Sequence, residues 1–321
     1  MAYKVLIPQE IAHEGVDELL RFGYEVKMGT GTGEEDLIRD VADCDAILLR
    51  TAQVTRTVLE AGKKLKIVAR HGAGYNNVDI KAAEELGIWV TNAPDSTTNS
   101  VAEFVLGAII AAAKRMFLLH EALRRKDFYF KNSHKGIDLE GKTLGIVGFG
   151  RIGSRVAQKA FYGLDMKILA YSPHITEAQA PDYVRKADWD TVFSQSDIVS
   201  LHMPLTEESR GCVGEREFGL MKSSAYLINC ARGEVVKERE LENALRQGQI
   251  AGAFLDVLDK EPFDRNSPLL SMDNVVVTPH MASNTEECMK LMAVQAASQI
   301  HLVLSGQEPA WPVNHPCIKN V

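Results

Sequence analysis

The sequence predicts an α/β protein built from two doubly wound parallel sheets. Three observations carry this reading. The first hundred residues alternate short apolar runs with helical stretches, a pattern that needs a parallel sheet covered on both faces. A second alternating series follows an apolar helical stretch that begins near residue 100. At the head of that series, Gly148-Phe149-Gly150-Arg151-Ile152-Gly153 stands between a strand-like run and a helical pattern.

The elements follow in order. In the first series the strand-like runs are Lys4–Ile7, Tyr24–Val26, Ala46–Leu49, Lys66–Ala69 and Ile88–Thr91. Helical patterns fall between them at Ala12–Phe22, Glu35–Val41, Arg56–Ala61 and Asp79–Leu86. One long helix is expected over Val101–Lys126. The second series has strands at Thr143–Val147, Lys167–Tyr171, Ile198–Leu201, Ala225–Asn229, Ile250–Leu255 and Val275–Val277. A last helical pattern runs over Thr285–Leu304 and leads into a Pro-rich tail; the pattern alone does not assign it to either half.

A chain of 321 residues that is 45% hydrophobic and 25% charged reads as about two ordinary globular domains. The net charge of −7 argues against nucleic acid or an anionic membrane as partner. The apolar run Phe104–Ala113 is too short to span a bilayer. Met1–Lys4 leads straight into Val5-Leu6-Ile7, so no signal peptide is expected. Five scattered cysteines (Cys44, Cys212, Cys230, Cys288 and Cys317) make neither a disulfide framework nor a zinc motif, and a reducing cytoplasm is the expected setting. No metal site is expected.

The glycine loop has a mechanism in this context. Gly148 makes the tight turn, Gly150 lets the backbone approach a pyrophosphate, and Gly153 packs the helix against the strand. The helix N-terminus, with Arg151 and Ile152, offers N–H groups to the anion. NAD-preferring loops of this kind carry an acidic residue at the end of the second strand, where it binds the ribose hydroxyls. Here that strand ends Tyr171-Ser172-Pro173-His174, and the expected acidic position is Ser172. Without the carboxylate a 2′-phosphate is not repelled. No arginine stands close by, and His174 is a weak alternative partner. NAD is favoured, with NADP or dual use open.

Three residues past strands of the second series suit hydride chemistry at a C–OH carbon. Arg232 in Asn229-Cys230-Ala231-Arg232-Gly233 offers a cation for a substrate anion. Glu261 in Leu255–Pro262 offers a carboxylate to orient a base. His280 in Thr278-Pro279-His280 offers that base. Ligands bind at the carboxyl ends of such strands. Arg50, after strand Ala46–Leu49, is a candidate for a distal substrate group such as phosphate. His71 is a further candidate, while His13, His120, His134, His301 and His315 read as surface or structural.

Seven ordered segments together resemble the D-isomer-specific 2-hydroxyacid dehydrogenase family. They are Ala69–Asp79, Asn92–Glu103, Gly141–Gly153, Leu201–Thr206, Leu227–Val236, Leu255–Pro262 and Thr278–His280. Within that family the chain looks most like the branches acting on 3-phosphoglycerate, or on hydroxypyruvate and glycerate. The resemblance implies a Rossmann cofactor domain, residues 99–284, inserted in a flavodoxin-like substrate domain, residues 1–98 and 285–321. It implies catalytic Arg232, Glu261 and His280, and a substrate carboxylate held by backbone N–H groups near Ala73 and Gly74. It implies that Asp256 contacts the nicotinamide carboxamide and that His202 and Pro204 border the cofactor. A homodimer through the helix at 101–126 is implied as well. A C-terminal regulatory domain is not expected. Alternatives are a cofactor-sensing binding protein of the corepressor kind and formate- or phosphite-type chemistry on the same scaffold.

Overall fold

A computed structural model describes residues 2–173 and 175–316. It divides into two compact units. One contains the described residues up to Thr97 and those from Asn284 onward, and the other is Thr98–Ser283.

The first unit opens with β1 (Lys4–Ile7), α1 (His13–Arg21), β2 (Glu25–Met28), α2 (Glu34–Val41), β3 (Ala46–Leu49), α3 (Arg56–Ala61), β4 (Ile67–Arg70), α4 (Ile80–Glu85) and β5 (Trp89–Thr91). Its sheet is parallel in the order β2-β1-β3-β4-β5. β3 reads Ala-Ile-Leu-Leu and is buried throughout, as a central strand covered on both faces must be. Thr55 and Asp79 cap α3 and α4 by accepting the N–H of Val58 and Ala82.

The second unit begins with α5 (Thr98–Ala113) and α6 (Met116–Arg124). It continues with β6 (Thr143–Val147), α7 (Arg151–Leu164), β7 (Lys167–Tyr171), β8 (Val184–Lys186), α8 (Trp189–Gln195) and β9 (Ile198–Leu201). Then come α9 (Glu215–Leu220), β10 (Tyr226–Asn229), α10 (Glu238–Arg246), β11 (Gly252–Leu255) and β12 (Val275–Val277). Seven parallel strands stand in the order β12-β11-β10-β9-β6-β7-β8. The order reverses between β6 and β9, which opens a crevice outside their carboxyl ends. Apolar side chains fill both faces, with Val105, Ile109 and Val156 on one side and Phe193, Phe218 and Leu241 on the other.

The chain then returns to the first unit through α11 (Glu286–Leu304), capped by Thr285. Ala296, Ala297 and Ile300 of this helix pack on Val5, Ile7, Leu48 and Ile67. α1 approaches it so closely that a Cβ on Gly15 would lie 2.7 Å from that of Ala293. Beyond α11 the tail covers the open edge of β5. Val313 N–H bonds Val90 O, and the buried Asn314 side chain bonds Val90 N–H and Ile88 O.

Two expectations need correction. The helix expected over Val101–Lys126 is two helices, broken where Arg115 takes a left-handed φ of 52°. The Ala113 carbonyl is taken by the N–H of Ile137, and no glycine or proline marks the break. β8 was not expected. It is three residues long, and its Arg185 and Lys186 are exposed, so it carries no apolar alternation.

Candidate active site

The glycine loop shows what each position requires. Gly148 has φ +99°, and a Cβ there would lie 2.8 Å from the His202 carbonyl carbon. A Cβ on Gly153 would lie 2.1 Å from Gly148 O, because α7 packs directly on the turn. Nothing lies within 4 Å of the place a Gly150 Cβ would take. No side chain caps α7 at Gly150. Open space before an uncapped helix N-terminus fits a pyrophosphate. Arg151 is exposed and Ile152 half-buried. Ser172 follows the last residue of β7 and is buried, while His174 lies outside the described residues.

His202 and Pro204 follow β9. Ser200 Oγ and His202 Nε2 are 2.9 Å apart, and burial lowers the His202 pKa to about 4. That imidazole is neutral at physiological pH. Pro204 is exposed, and its carbonyl accepts the Ser209 hydroxyl.

The trio past β10, β11 and β12 is brought together. The buried Asn229 side chain shapes the first turn, accepting Ala231 N–H at 3.0 Å and donating to Arg232 O at 2.9 Å. Burial pulls the Arg232 guanidinium below its usual pKa, against the opposing charges of Glu261 and Glu234. Gly233 lies against the segment that leads to Glu261. A Cβ on it would fall 1.9 Å from Leu258 O, so only glycine fits. His280 Nδ1 and Glu261 Oε2 are 2.8 Å apart. A carboxylate only accepts, so Nδ1 carries the hydrogen and Nε2 is the other tautomeric position. His280 stands at φ 54°, a conformation uncommon outside glycine. Asp256 is 1% exposed and accepts from the Thr278 hydroxyl and from the N–H groups of Met281 and Ala282.

The first unit presents a second set of residues. Arg50 follows β3 and donates Nη1 to Glu10 O at 3.3 Å. Past β4, Gly72 takes φ +133°, and Ala73 O accepts the Asn92 amide at 2.7 Å. Ala73 and Gly74 are half-buried. His71 is 2% exposed and bonds Met289 O through Nε2. Burial, with Arg70 and Arg50 nearby, lowers its pKa to about 4. Positive charge is therefore gathered beside the Gly72–Gly74 loop. Sequence reasoning missed Asn229, Ser200 and Gly233 as shapers of the site. Asn two residues before a turn N–H was the one signal available, since Asn side chains close such turns.

Residues 106–282 match the family described as D-isomer specific 2-hydroxyacid dehydrogenase, NAD binding domain. The D-3-phosphoglycerate dehydrogenase of Methanocaldococcus jannaschii is 39% identical over 318 residues, covering 98% of this chain. This chain spans 60% of that relative's length. A glyoxylate reductase of Thermofilum pendens is 40% identical over 295 residues, 89% of this chain and 86% of that protein. The solved structure of an NAD+-bound 3-phosphoglycerate dehydrogenase from Entamoeba histolytica is 29% identical and aligns over 98% of this chain and 100% of its own, with TM-score 0.82. With its glycine loop, its strand order and a match over more than half its length, the chain belongs to the D-isomer specific 2-hydroxyacid dehydrogenase family.

Proposed function

We propose that the chain is an NAD(P)-dependent dehydrogenase of a small D-2-hydroxy acid. The observation that carries this is the hydrogen-bonded Glu261–His280 pair in the company of the half-buried Arg232, on the sheet that bears the glycine loop. When bound, the dinucleotide supplies the hydride for C2 of the keto acid or accepts it from the hydroxy acid. His280 gives the proton to the substrate oxygen from Nε2 in reduction and takes it back in oxidation. Glu261 holds the ring in the tautomer and orientation for this transfer. Arg232 holds the substrate carboxylate and steadies negative charge on the reacting oxygen. Residues 1–98 and 285–321 form the substrate domain, with Ala73 and Gly74 at the carboxylate and Arg50 at the distal group. The positive charge of Arg50 and Arg70 favours an anionic distal group, as in a 3-phospho acid, over unsubstituted hydroxypyruvate or glyoxylate. NAD is the favoured cofactor, with NADP tolerated through Ser172. The chain pairs as a homodimer through α5 and α6.

A panel of hydroxypyruvate, glyoxylate, phosphohydroxypyruvate and phenylpyruvate, each with NADH and with NADPH, tests the reading. Turnover of at least one acid is expected. His280→Ala should then lose at least about 100-fold in kcat while still binding cofactor. Tight dinucleotide binding with no turnover of any acid would instead mark a cofactor-sensing protein.

A further inference from the structure

The turn that carries His280 is held by a residue whose side chain never reaches the imidazole. Asp256 follows β11, and its N–H bonds Asn229 O at 2.9 Å, continuing the ladder to β10. Its carbonyl accepts His280 N–H at 2.8 Å. Its Oδ1 accepts the Thr278 hydroxyl at 2.6 Å and Met281 N–H at 2.8 Å, and its Oδ2 accepts Ala282 N–H at 2.8 Å. One buried residue thus grips the chain on both sides of the histidine and at the histidine itself. Three of the carboxylate's acceptor positions are taken inside the protein, with N–H and O–H dipoles stabilising its charge.

The gripped segment needs holding. His280 is a non-glycine residue at φ 54°, and backbone in that region persists only where its surroundings over-determine it. Asn229 does the same service for the neighbouring Arg232 turn with a neutral side chain. Two adjacent strand ends therefore carry two buried polar side chains, each closing one turn.

We infer that Asp256 is a positioning residue for His280, acting through the Thr278–Ala282 turn; this rests on His280 being the acid–base group. Without the grip, the turn relaxes away from φ 54°, and the imidazole no longer meets Glu261 and the substrate oxygen together. A shift of about 1 Å at such a group costs on the order of 100-fold in rate.

The test compares three variants of the full chain. Asp256→Asn places an amide N–H against a backbone or hydroxyl donor, Thr278→Val removes one hydroxyl, and Thr278→Ser restores it. Readouts are kcat at saturating cofactor and acid, the pH profile of kcat, and the NADH dissociation constant measured without substrate. Asp256→Asn should lower kcat about 100-fold, and Thr278→Val about tenfold with a displaced inflection in the pH profile. Thr278→Ser should run near wild type, and both Thr278 variants should keep the NADH dissociation constant within about threefold. An Asp256→Asn variant whose whole loss of activity is matched by a rise in that constant, with kcat recovered at saturating NADH, would overturn the inference and leave Asp256 a cofactor ligand alone. So would a Thr278→Val variant with wild-type kcat and pH profile, which also decides the matter if Asp256→Asn does not fold. A wild-type chain that turns over no acid sinks the proposed function instead. Loss of amide exchange protection at Met281 and Ala282 in Asp256→Asn then still supports the grip, and unchanged protection overturns it.

Discussion

Arg232 and Ser172 give the proposed function its sharpest tests at the scale of one side chain. Arg232 is half-buried past β10, and its desolvation lowers its pKa, so a substrate anion set against it would favour its charge. Lysine keeps the charge but lacks the planar fork that meets a carboxylate with two parallel bonds. Arg232→Lys should raise KM strongly and lower kcat; an unchanged KM in steady-state kinetics would show that another group holds the carboxylate. Ser172 stands one residue past β7, the position proposed to face the adenosine ribose, where a carboxylate would repel a 2′-phosphate. Ser172→Asp should depress kcat/KM for NADPH far more than for NADH when both are measured at one ionic strength. An unchanged ratio would remove Ser172 from the ribose. Both positions were legible as candidates because each follows a strand, as the structure places them, and strand ends are where such sheets bind ligands. Asn229 and Gly233 were harder to read. What they do depends on contacts with Arg232 O and Leu258 O, and spacing along the chain does not encode such contacts.

At the scale of elements, the buried strands were the clearest. Ala46–Leu49 and Ile198–Leu201 are buried at every position, and their limits in the structure are those the sequence suggests. Elements that lack such a signature were lost or misjudged. β8 has one buried residue, and the α5–α6 break has no punctuating residue; what accompanies it is the bond from the distant Ile137 N–H to Ala113 O. The break bears on the proposed dimer. It turns α6 so that Met116, Phe117 and Leu123 are exposed, beside a cavity of about 450 Å³ lined by Phe117, Phe130, Met272 and Val276. Apolar patches of this kind mark contact surfaces. Leu123→Glu paired with Phe117→Glu should convert a dimer to a monomer by light scattering after size-exclusion chromatography. A wild-type chain that elutes with the mass of one copy would remove the proposed interface.

For the whole molecule, a loss of stability in acid follows from two histidines whose pKa values are held low. His71 holds a folded-state pKa of about 4 against an ordinary 6.5, chiefly through burial. Between those values the unfolded chain binds a proton that the folded chain refuses. Stability therefore rises with pH across that window and is lost as pH falls from about 6.5 to 4, by up to about 3 kcal/mol for this one group. His202 acts in the same direction. Urea titrations at pH 7.5 and pH 5 should show the loss, and His71→Gln should flatten it; equal slopes in the two proteins would refute the assignment. Among the described residues no helix is long and apolar enough to cross a membrane. The return of α11 to the first unit has a consequence for the nascent chain. The ribosome releases Thr98–Ser283 as one uninterrupted stretch before it makes α11, so the second unit can finish folding while the first still lacks its last helix. At typical elongation rates that interval lasts on the order of ten seconds or more. Throughout it Val5, Ile7, Leu48 and Ile67 lack their cover, a window in which a holdase chaperone would find this protein and its finished form would not.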